Sequence, residues 1–153
     1  MRDQRHVSVA ESLEPFLGRW RGSAELAASP SGPARTVEAE VVFTKAAGGH
    51  AVVQSYRHLE ADGSHFEGHG VFTVDPDHGD TFWYYVDSIG KPPEAPARGH
   101  WDGGTLTLER HSPRGTSRHS FRIDGGELVH SGSLRKGTAP EFTRFLSARF
   151  RRA

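Results

Sequence analysis

The 153-residue chain contains no cysteine, which excludes disulfides, zinc–thiolate centres and thiol nucleophiles. It also lacks a charge excess, because 19 basic and 19 acidic side chains cancel formally. A phosphate-reading surface needs a basic excess on one face, so nucleic acid is not an expected partner. Arg149, Arg151 and Arg152 form a local exception that reads as a solvated strand edge. No run approaches the ~20 apolar residues of a membrane-spanning helix. The first ten residues are charged and carry none of the apolar stretch of a secretory signal. These absences lead to the expectation of a cytoplasmic protein with no membrane partner. Lysine is scarce, at Lys45, Lys91 and Lys136 alone. Neither a Gly-x-Ser-x-Gly elbow nor a phosphate-binding loop is present.

What the chain does contain is β pattern. Only one segment has helical spacing: Val9, Leu13, Phe16 and Leu17 recur on one face, Ser8 and Glu11 can form a capping box, and Gly18 ends the run. That predicts a helix of about two to three turns. After it come about ten short runs of alternating polarity, separated by turn residues. Trp20, Gly22, Ala24 and Leu26 share one face, as do Val37, Ala39, Val41 and Phe43. Asp62-Gly63, Gly103-Gly104 and Gly125-Gly126 are two-residue hairpin signals. Residues 88–96 carry Gly90, Pro92, Pro93 and Pro96 and read as a loop. Sequential hairpins favour an up-and-down meander, and closure would remove its exposed edges. The expected fold is therefore all-β: one domain over 1–153, an antiparallel barrel of about ten strands with a short N-terminal capping helix.

The opening Phe16-Leu17-Gly18-Arg19-Trp20-Arg21-Gly22 resembles the start of calycin-like barrels, in which a helix plugs one end and a Gly-x-Trp strand follows. Gly70-Val71-Phe72-Thr73-Val74-Asp75-Pro76, then Phe82-Trp83-Tyr84-Tyr85, resembles a bacterial family in that group, the domain of unknown function 1579 type. So does the end, Phe145-Leu146-Ser147-Ala148-Arg149-Phe150-Arg151-Arg152. The resemblance implies a calycin-like barrel distantly similar to nitrobindins and to fatty-acid-binding and lipocalin barrels. Nitrobindin-like proteins carry their haem-ligating histidine in the final strand. The matching stretch 142–150 holds no histidine, and Phe145 stands about where it would be expected. A five-coordinate haem needs a proximal ligand, so no cofactor is expected; a haem-binding, nitrobindin-like protein stands as a third reading that needs another histidine in that place.

Hairpin register then assigns faces. With Asp62-Gly63 as a two-residue turn, Leu59 opposes Phe66, Arg57 opposes Gly68 and Val53 opposes Phe72. That register predicts an inward Arg57, given room by Gly68 and Gly70, and held by a carboxylate or a ligand anion. It also places Tyr56 and His58 outside, with His65, Glu67 and His69 in a solvated stripe. With Gly125-Gly126 as the turn, Phe121 opposes His130 and His119 opposes Gly132. His119 and His130 then sit diagonally on the inner face, ~7 Å apart, bonded to each other or turned to a ligand. Tyr84 is a further candidate donor, with Phe72, Phe121, Trp101 and Trp20 as apolar lining. No metal site is expected.

The expected function is binding of a small, largely apolar molecule with an anionic or carbonyl end inside the barrel. The alternative is a cofactor-independent isomerase, cyclase or lyase, with His119 or His130 as acid–base and Arg57 or Tyr84 on a developing oxyanion. The expected partner is a small molecule, and a homodimer is compatible with the composition.

Overall fold

The computed structural model describes residues 8–30 and 32–153; most of the charged opening read for a signal lies outside the described residues. The chain begins with α1 (Val9–Ser12), a single turn. Its capping box is formed: the Ser8 hydroxyl accepts from the Glu11 N–H and the Glu11 carboxylate accepts from the Ser8 N–H, both at 3.1 Å. The longer helix expected from the spacing is split, because a 3-10 turn over Glu14–Phe16 follows with Pro15 inside it. Proline has no N–H to give, and its ring clashes with the carbonyl four residues back. The apolar spacing still works: Val9, Leu13 and Phe16 are all buried.

Ten strands follow: β1 (Gly18–Leu26), β2 (Arg35–Ala46), β3 (Ala51–Leu59), β4 (His65–Val74), β5 (Thr81–Asp87), β6 (Ala97–Asp102), β7 (Thr105–Ser112), β8 (Gly115–Asp124), β9 (Glu127–Lys136) and β10 (Thr143–Arg152). Each pairs antiparallel with its chain neighbour, and β1 pairs with β10 to close the barrel. The all-β, ten-strand antiparallel barrel with a short N-terminal helix is thus the observed fold. No helix among the described residues is long and apolar enough to cross a membrane.

The faces of β1 and β2 follow the alternation: Trp20, Ala24, Val37, Ala39, Val41 and Phe43 are buried. They meet Phe72, Leu106, Leu108, Phe121, Leu128 and Phe150 in one core beneath the plug of Leu13 and Phe16. Each such apolar side chain removed from water contributes roughly 1.5–3 kcal/mol. Phe16 ties plug to wall, its ring 5.9 Å from Phe43 and 5.6 Å from Trp101, while its carbonyl accepts from Trp20 Nε1 at 2.8 Å.

Register decides which side chains reach the interior. At Gly125-Gly126 the two-residue turn is observed, with φ of 59° and 82°, and Phe121 opposes His130 as expected. At Asp62-Gly63 it is not. Only Gly63 has positive φ (88°); the Gly63 N–H donates to the Glu60 carbonyl, and the Glu60 N–H to the Ser64 carbonyl. This is a three-residue loop, a tight turn followed by one left-handed residue. It shifts the ladder by one: Leu59 opposes His65, His58 opposes Phe66 and Tyr56 opposes Gly68. A one-residue shift exchanges the two faces of β3.

Candidate functional site

The plug fills the end where β1 starts and β10 finishes. At the other end lie the termini of β3, β5 and β7 and the starts of β4, β8 and β10. There hydrogen-bonding groups join the aromatic rings of the interior.

His119 and His130 meet there as expected, His119 Nδ1 lying 3.0 Å from His130 Nε2. One ring donates and the other accepts. Phe121 stacks on His130 at 4.1 Å between centroids, and Trp83 meets the His119 ring edge-on at 4.8 Å. Burial drives both imidazoles toward the neutral form, His119 down to about 3, with the Arg110 charge adding to the effect on His119 and the His119 charge to that on His130. At neutral pH the pair offers hydrogen bonds, not charge.

Arg57 does not join them. Its side chain is 57% exposed and lies 3.5 Å from Glu40. The one-residue shift at the Asp62-Gly63 loop puts it outside. Tyr84 is also outside, at 46% exposure. The strand Thr81–Asp87 is apolar on both faces, so alternation carried no signal, and its pairing with β4 turns Trp83 and Tyr85 inward instead. Phe121 borders His130 directly and Phe72 borders the histidines through Trp83, while Trp20 and Trp101 belong to the plugged end. The stripe His65, Glu67 and His69 is exposed, as expected.

The same shift brings in residues that the sequence reading left outside. Gln54 Oε1 accepts from Trp83 Nε1 at 3.0 Å, and both are buried. The Tyr56 hydroxyl is 2.8 Å from His58 Nδ1. His58 Nε2 lies 3.7 Å from Glu60, which is gripped by two Arg35 nitrogens, each at 3.0 Å. Burial lowers the His58 pKa against the pull of Glu60, and burial raises that of Tyr56, so both rest neutral. Tyr85 is likewise raised, first by burial and then by Asp87. A turn read as three residues long would have turned Gln54, Tyr56 and His58 inward, whereas Tyr85 follows from the pairing of β5 with β4. Chemically the set can donate to and accept from a polar group, and Tyr56–His58–Glu60 is an oriented imidazole of the kind that moves protons.

Below these groups the interior is close-packed. The cavity bordered by Gln54, Tyr56, Phe121, His130 and Phe150 measures about 10 Å³, room for about one water. Phe145 adds to the filling. A bulge between Arg144 and Leu146 interrupts the β10 ladder, and the Phe145 ring lies 5.6 Å from His119 against Gly132. At the final-strand position read for a haem ligand, the Phe145 ring offers iron no donor atom. No group of three side chains able to hold a metal ion occurs among the described residues.

No family model matches the chain, and no curated protein does. Solved structures do. The chain is similar to Rv2717c from M. tuberculosis at TM-score 0.71 and 23% identity, covering 97% of this chain and 99% of that one. A redesigned β-barrel, b11L5F_LGL, matches at TM-score 0.52 and 12% identity over 96% of this chain and 99% of its own. The barrel EF1p2_mFAP2b, in a structure bound to DFHBI, matches at TM-score 0.50 and 10% identity over 95% and 100%. These likenesses are likenesses of fold: a closed antiparallel β-barrel.

Proposed function

We propose that this chain is a calycin-like barrel that binds a small, largely apolar molecule with a polar end at its unplugged mouth. The observation that supports this most is the setting of Tyr85, His119 and His130 among Trp83, Phe121 and Phe145. Aliphatic side chains would stabilise that end without the desolvation cost of buried polar groups, about 1–3 kcal/mol each when unpaired. The Tyr85 hydroxyl has no hydrogen-bond partner among the described residues. The apolar part of the ligand takes the space of Phe145, whose strand is already bulged. That a similar barrel carries DFHBI is in keeping with this reading.

The test is titration with N-phenyl-1-naphthylamine, a neutral apolar fluorophore. Saturable one-to-one enhancement is expected. It should be lost in Ser117→Trp, which places a large ring on the His119 face one step nearer the rim, with the far-ultraviolet spectrum unchanged. Absence of binding, or binding indifferent to Ser117→Trp, would overturn the reading.

A further inference from the structure

The wall of the barrel is incomplete at the mouth. β5 and β6 share only three residue pairs, ending at Trp83 with Ala97. The β6–β7 ladder in turn reaches no further than Arg98 with Glu109. Residues 84–87 of β5 and 110–112 of β7 therefore face each other without a strand between them. Residues 88–96 cover this gap, and Pro92, Pro93 and Pro96 lack the N–H groups that could close it as a ladder.

Arg110 stands at that gap. It shares the face of buried Leu106 and Leu108, so its side chain belongs to the interior, and it is 31% exposed. Its charge is felt at His119. Its partner is not a wall residue: Arg110 Nη2 lies 3.2 Å from Glu94 Oε1, and Glu94 belongs to the covering loop. The other oxygen of Glu94 takes Arg114 at 3.1 Å, outside the mouth. At this end of the barrel the second arginine on an inward-facing register is Arg35. It is fixed by two bonds to Glu60, whose carboxylate also lies 3.7 Å from His58. Arg110 alone of the two is held by a group that can leave with its loop and keep a cation, Arg114, when it does.

We propose that Arg110 is the anion-binding residue of this barrel, that Glu94 occupies its place until ligand arrives, and that the ligand is an apolar carboxylic acid. This rests on the mouth-binding reading above. The exchange is carboxylate for carboxylate, so the guanidinium is never left unpaired and the charge at the mouth is unchanged. A neutral ligand gains nothing from it, which makes Arg110 the source of selectivity for acids.

The experiment compares dodecanoate with 1-dodecanol as competitors of bound N-phenyl-1-naphthylamine in the full chain. Dodecanoate should compete at least ten-fold better. Arg110→Met should erase that preference while leaving dodecanol unchanged, and Arg110→Lys should restore part of it. Glu94→Gln, which removes the resident carboxylate charge, should strengthen dodecanoate several-fold. Equal competition by acid and alcohol in the wild type, or an acid preference that survives Arg110→Met, overturns the assignment and leaves the mouth reading standing. If the fluorophore and both competitors fail to bind, the mouth reading and this one fall together.

Discussion

Gly70 faces Gln54 across the β3–β4 ladder, and a methyl group there would run into both Trp83 Nε1 and Gln54 Oε1. Gly68 stands in the same relation to the Tyr85 hydroxyl. The two glycines therefore make room for the inward aromatics of β5. Gly70→Ala should cost about 1–3 kcal/mol through overpacking, more if the Gln54–Trp83 bond is broken. Urea denaturation followed by tryptophan fluorescence would measure it, and a variant as stable as wild type would show that the wall yields more easily than the packing implies. Arg57 makes the contrast. It is exposed and paired only with Glu40, which Arg19 and Arg21 already satisfy. Arg57→Met should change stability by no more than about 0.5 kcal/mol and leave ligand binding intact. A large loss on either count would contradict its outward position.

At the scale of elements, the plug is tied down from far along the chain. The Arg152 guanidinium donates to the carbonyls of Leu17 and Pro15, and lies 4.1 Å from the Trp20 ring. These carbonyls border a one-turn helix that cannot hold itself, since isolated helices need roughly 12–15 residues to persist in water. Arg152→Ala should cost on the order of 1–2 kcal/mol and speed hydrogen exchange at Leu13 and Phe16 before it affects the strands. Uniform exchange throughout would mean the plug and the barrel open together. The hairpins show how far residues alone reveal such elements. Gly-Gly at 125–126 permits two successive left-handed residues, so the turn and the face of His119 and His130 were legible. Asp62 next to Gly63 permits either a two-residue or a three-residue loop, and residue types do not choose between them. That ambiguity inverted Arg57, Tyr56 and His58 together. In β5, apolar residues on both faces hid the choice between Tyr84 and Tyr85, which only the pairing with β4 makes. The plugged end needed no such choice, because its alternation is clean.

For the molecule as a whole, the buried histidines set a pH limit. Unfolded imidazoles titrate near 6.5. In the fold, burial holds His119, His130 and His58 below that value. Above about pH 6.5 neither state takes the proton, and their contribution to stability is complete. As pH falls through 6.5, the unfolded chain binds protons that the folded chain refuses, so stability declines with slopes up to about 1.4 kcal/mol per unit per histidine. The urea midpoint should drop between about pH 6.5 and 5, before most carboxylates titrate. His130→Gln should flatten that drop, and a midpoint constant across the window would mean the imidazoles are reached by water.

The seam between β1 and β10 sets the order in which this barrel can assemble. Every other pairing joins neighbours in the chain, whereas Trp20 meets Arg152 and Leu26 meets Leu146 across most of its length. As the chain leaves the ribosome, eight hairpins can zip in turn, but the seam must wait for the final strand. Until then two ladders of unpaired backbone, on β1 and β9, stand open to any other chain that passes. The vulnerable species is thus the nine-strand sheet that exists until β10 docks between β9 and β1.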